Sequence, residues 1–231
     1  MEMNQFIEHL RINKNVEKSE GMENYMRNQF EFLGLQAVER RKLSSVFQKE
    51  LRKETASRYD SENPEQSIID WDVIHTLWDQ PEREFQLTAI DYLKRVEKYL
   101  VLDDFKELEK LVLKKSWWDT VDFLAKNIGS LVLKYPELIQ VMRSWSLHEN
   151  LWIRRVSILH QLSFKDKTNT LLLSEIILDH SDEEEFFIQK AIGWALREYA
   201  KTDAQWVVDF VRDHLEKLST LSIREATKHV K

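Results

Sequence analysis

Two indoles and two carboxylates fall within six residues of this chain, at Trp117, Trp118, Asp119 and Asp122. Asp119 and Asp122 are three residues apart, so on a helix both share a face, an arrangement that can hold a metal ion or split a glycosidic bond. Asp119 also stands where an acid stabilises the first turn of a helix, and that ordinary role suits it better than catalysis. Farther along, Trp194, Arg197 and Lys201 follow one another at steps of three and four, one indole and two cations on a single helical stripe. Arg154 with Arg155, and Lys114 with Lys115, add paired cations at earlier positions. Rings set among cations are the makings of a nucleic-acid platform; the same residues serve equally as core indoles and a solvated charged face.

Other chemistries lack their residues. The chain has no Cys, hence no disulfide framework, thiolate zinc site or cysteine nucleophile. Its 7 His show no ligand spacing, and there is no glycine-rich phosphate loop, H-E-x-x-H pair or G-x-S-x-G elbow. No metal site and no cofactor are expected.

The elements that must position these residues are helices. Only 4 Gly and 3 Pro punctuate 231 residues, too few for the tight turns of a sheet protein. Apolar residues recur at the helical period, as in Leu108, Leu111 and Val112 or Ile188, Ile192 and Ala195. The polar stretch 57–67, with Pro64, reads as a surface connection. Phe85, Trp118, Trp152, Phe187 and Ser222 stand 33, 34, 35 and 35 residues apart, the period of stacked helix pairs. The expectation is an all-α, curved α-solenoid of stacked antiparallel helix pairs. It forms a single domain over 1–231, with 1–50 as atypical capping helices.

Four residues after each register position come Ala89, Asp122, Val156, Ala191 and Ala226. Asp122 is the exception among small apolar residues. Either it is a carboxylate facing desolvation, which demands a compensating cation, hydrogen bonds or water, or the register drifts there and it is merely solvated.

The net charge of -6 argues against a polyanionic partner, but residues 1–110 hold 17 basic against 23 acidic residues, and 111–231 hold 17 of each. The second half is therefore open to a basic face. No basic start with an apolar core opens the chain, and no apolar run approaches the roughly 20 residues that span a bilayer, so a cytoplasmic protein with no membrane partner is expected.

The strings KSWWDTVD (115–122), LWIRRVSILHQL (151–162), FFIQKAIGWALREYAK (186–201) and YMRNQFEFLGL (25–35) closely resemble the AlkD-type DNA alkylation repair glycosylases, in colinear order from about residue 22 onward. The resemblance implies a HEAT-like α-solenoid with a concave DNA-binding face, and release of cationic 3-methyladenine and 7-methylguanine from double-stranded DNA without a base-flipping pocket. It implies Asp122 as the catalytic carboxylate, and Trp118 and Trp194 as indoles embracing the lesion's sugar and backbone. Arg155 would contact a phosphate near the lesion, Arg197 and Lys201 further backbone positions, and Tyr25 would contribute from the N-terminal side. The chain departs from the family where Ala37 and Val38 replace a Thr-Pro-like helix start, which removes a cap while leaving Arg40, Arg41 and Lys42 in place. A monomer is expected. The alternatives are a non-catalytic binder of DNA structure and a protein-interaction solenoid.

Overall fold

The apolar period becomes buried helix faces: Leu108, Leu111 and Val112 are buried, and so are Ile188, Ile192 and Ala195. In the computed structural model, which describes residues 2–229, fourteen α-helices follow one another, and no strand occurs among the described residues. The chain is all-α, as its composition predicts. Its helices group into two compact units, Met1–Glu107 and Leu108–Lys231.

The first unit contains α1 (Met3–Ile12), α2 (Val16–Tyr25), α3 (Ala37–Leu43), α4 (Ser45–Ser57), α5 (Trp71–Asp79) and α6 (Arg83–Val96). Helix α6 packs against α3, α4 and α5. Its fully buried Glu84 accepts hydrogen bonds from the backbone of Leu33 and Leu35, each at 3.0 Å, and Arg83 lies over the Phe30 ring at 3.8 Å. These two charged residues thereby dock the loop before α3. The N-cap of α3 is Gln36, whose side chain makes no cap hydrogen bond, and Ala37 and Val38 form the first helical positions after it. Residues 58–66 are exposed, in keeping with their polarity.

Helix α7 (Phe105–Leu113) carries the chain into the second unit. There follow α8 (Trp118–Lys134), α9 (Leu138–Ser146), α10 (Leu151–Leu159), α11 (Thr170–Leu178), α12 (Phe186–Tyr199), α13 (Ala204–Asp213) and α14 (Thr220–Ala226). Helix α10 lies against both α8 and α12, and α12 against α14; α9, α11 and α13 back this row. That is the stacked-pair order the sequence period predicts. The register residues explain the close spacing, since Val156, Ala191 and Ala226 are all fully buried, as Ala89 is in α6 of the first unit. Two glycines tighten it further: a Cβ on Gly129 would lie 2.0 Å from the His160 carbonyl oxygen, and one on Gly193 would lie 2.5 Å from Glu225 Cβ.

His160, just past α10, is buried, with Nδ1 donating to the Ser157 carbonyl at 2.6 Å and Nε2 unpartnered. Burial lowers its pKa from 6.5 to about 4. The folded chain therefore resists a proton that the unfolded chain accepts. The stability this gives is full above the unfolded value and is lost as pH falls toward the folded one, by up to about 3 kcal/mol. Denaturant melts of wild type and His160→Gln, run across that acid range, should show a flatter pH dependence for the variant. Parallel curves would contradict it.

Candidate active site

Helix α10 is launched by Asn150, whose side chain accepts from the backbone of Trp152 at 2.9 Å and Ile153 at 3.3 Å, a cap that contributes about 1 kcal/mol. One turn in, Arg155 points toward the row's interior. Its Nε donates to Asp122 Oδ1 at 2.7 Å and its Nη2 to Asp122 Oδ2 at 2.9 Å, a bidentate pair. Its Nη1 donates to the Phe187 carbonyl. One guanidinium thus ties α8, α10 and α12 together.

The Phe187 ring is itself fixed, 5.1 Å from both Trp117 and Trp152, while those two indoles stand 5.5 Å apart. Each such pair adds about 0.5–1.5 kcal/mol beyond its buried area. Trp117 therefore belongs to an aromatic cluster behind the ion pair, and Trp118, next in sequence, faces the cleft.

Asp122 is only 9% exposed and occupies the register position that its sister helices give to Ala or Val. It is a desolvated carboxylate, not a solvated surface acid. Burial pushes its carboxyl above the ordinary aspartate value; the two Arg155 hydrogen bonds and that cation's charge pull it back, Asp119 raises it, and Lys126 lowers it. A cleft of about 120 Å³ opens over it, lined by Trp118, Asp119, Asp122, Phe123, Lys126 and Trp194. This is well below the roughly 300–1,000 Å³ of pockets that enclose a small-molecule ligand.

The structure thus gathers Asp122, Trp118, Trp194 and Arg155, four of the residues singled out in the sequence. Arg155 is turned inward onto the carboxylate. Arg197 donates to Glu225 at 2.7 Å, and Lys190 reaches the same carboxylate at 2.9 Å. Lys201 pairs with Glu198 at 2.6 Å on the surface, where such a pair is worth only about 0–1 kcal/mol and is easily exchanged. Arg154 holds the carbonyls of His148 and Glu149 and the carboxylate of Glu183. In the first unit, Tyr25 is exposed beside Met22, Met26 and Phe32, and Arg40 and Arg41 both reach Asp91.

Two cleft residues, Phe123 and Lys126, escaped the sequence reading. Each lies four residues after one of the paired aspartates, the step that places residues on one helix face, and that spacing was signal enough. Among the described residues there is no cluster of three or more His, Asp or Glu able to hold a metal ion. None of their helices is long and apolar enough to cross a membrane.

A sequence profile for the family described as "DNA alkylation repair enzyme" matches residues 6–230. Among solved structures, one titled "Predicted DNA alkylation repair enzyme from Enterococcus faecalis" is similar over 94% of this chain and 96% of its own, at 36% identity and a TM-score of 0.80. No curated protein sequence matches the chain.

Proposed function

The chain belongs to the DNA alkylation repair enzyme family, and from that premise we propose that it is a DNA glycosylase releasing cationic alkylpurines, 3-methyladenine and 7-methylguanine, from duplex DNA. It would act as a cytoplasmic monomer. The observation that carries this reading is the buried carboxylate of Asp122, held by Arg155 in a cleft that Asp119 also lines, bordered by two indoles and too small to enclose a base.

Splitting a sugar bond ordinarily takes two carboxylates, one to protonate the leaving group and one to meet the cationic sugar. A purine alkylated at N3 or N7 already carries a positive charge. When the bond to C1′ breaks, its electron pair neutralises the base, which departs with no proton donor. The positive charge passes to the sugar, where Asp122 meets it. Water then adds to C1′ and releases a proton to solvent. A preorganised charge of this kind supplies about 3–4 kcal/mol of barrier reduction, and the faces of Trp118 and Trp194 add cation-π attraction of about 0.5–2 kcal/mol. Arg155 keeps Asp122 ionised and aimed. Lys201 and Arg197 exchange their carboxylate partners for phosphates, and Tyr25 is a further DNA contact.

A duplex carrying one 7-methylguanine, scored for abasic sites, tests the reading. Release well above the spontaneous rate is expected. A matched duplex with hypoxanthine, a neutral base that needs a proton donor to leave, should stay intact. No release of 7-methylguanine above background would return the chain to a non-catalytic DNA-binding role.

A further inference from the structure

Arg155, the cation that the family resemblance assigns to a phosphate beside the lesion, has all three of its guanidinium nitrogens engaged inside the protein, two on Asp122 and one on the Phe187 carbonyl. Its side chain is 6% exposed. A phosphate drawn to it would have to displace a bidentate buried pair, a loss far larger than breaking a surface contact. The cleft nevertheless holds a second cation. Lys126 lies one helical turn after Asp122, is half-buried, and is the one cationic residue among those lining the cleft. Among the described residues it forms no ion pair; its ammonium rests 5.8 Å from the centre of the Phe123 ring.

An ammonium here repels both a cationic base and a cationic sugar. It favours the charge of Asp122 four residues back, yet both oxygens of that carboxylate are bound by Arg155, so the ammonium is left able to meet an anion from outside. The anions that accompany the lesion's sugar are its flanking phosphates, and a half-buried lysine lining the cleft meets one as a point charge while Asp122 meets the ring. We propose that Lys126, held against Phe123, is the phosphate contact of the reacting nucleotide, and that Arg155 is a positioning residue for Asp122. This rests on the chain's acting on duplex DNA, and the test separates the two ideas.

The affinity of the full chain for an undamaged duplex is measured against salt for wild type, Lys126→Gln and Lys126→Arg. Loss of one phosphate contact lowers the slope of log affinity against log salt by about 0.9. The affinity advantage of wild type over Lys126→Gln should therefore shrink about 3.5-fold between about 50 and 200 mM salt. Lys126→Arg should restore the wild-type slope, which a merely structural role for Lys126 would not require. An unchanged slope in Lys126→Gln, with wild type binding normally, overturns the assignment and leaves the glycosylase reading standing. Failure of wild type to bind duplex at all removes both.

Discussion

Asp122→Asn should slow 7-methylguanine release by about 10²- to 10³-fold, the loss typical when one preorganised group facing a developing charge is removed. Duplex affinity should stay equal or rise, because the substitution takes a negative charge away from a site approached by phosphates. Asn has nearly the same shape, and its carbonyl oxygen can still accept one of the two Arg155 hydrogen bonds, which offsets part of the about 3–5 kcal/mol that losing one partner of a buried ion pair costs. Single-turnover release and a thermal melt on the same preparation separate chemistry from folding. A rate loss matched by loss of the folded state would make Asp122 a packing residue and remove it from catalysis.

Arg155→Met should produce the second largest effect, on both stability and rate. The pair is buried, and removing one partner strands the other, at about 3–5 kcal/mol. A stranded carboxylate takes up a proton rather than remain charged. Burial already raises the Asp122 carboxyl, and Arg155 is the main influence pulling it down, so without Arg155 it rises further. Activity depends on the ionised form and is lost as pH falls through that value, so the acid limb of the rate profile should move to higher pH in the variant. Arg155→Lys keeps the charge but not the fork and should fall between the two, giving a measurable profile where the Met variant folds poorly. An acid limb for Arg155→Lys that coincides with wild type would show that the guanidinium does not set the state of Asp122.

The fold was legible because it repeats. A period near 34 residues named the helix pairs, and Ala89, Val156, Ala191 and Ala226, one turn after their register positions, proved fully buried. The same register exposed Asp122 as the carboxylate where an alanine belonged. Arg155 follows by 33 residues, about one repeat, which places it beside Asp122 on the next helix of the row, although the resemblance assigns it to a phosphate. That Arg155 would turn onto the carboxylate instead of outward was not legible, because it depends on the Phe187 carbonyl and on the rings behind it. The stripe Trp194, Arg197, Lys201 was read as one surface. Trp194 does line the cleft, but Glu225, supplied by α14, takes Arg197, and only tertiary packing could reveal that. The Lys201 partner, Glu198, three residues back in the last turn of α12, could have been anticipated.

Whether Asp122 holds a sugar cation can be asked without any bond being broken. A duplex in which a positively charged pyrrolidine ring replaces the lesion's sugar imitates that cation, and an uncharged tetrahydrofuran site of the same shape does not. Wild type should bind the charged ring at least about 100-fold more tightly, as enzymes do analogues of their transition states, and Asp122→Asn should lose most of that preference. Equal binding of the two rings by wild type would contradict an electrostatic role for this carboxylate.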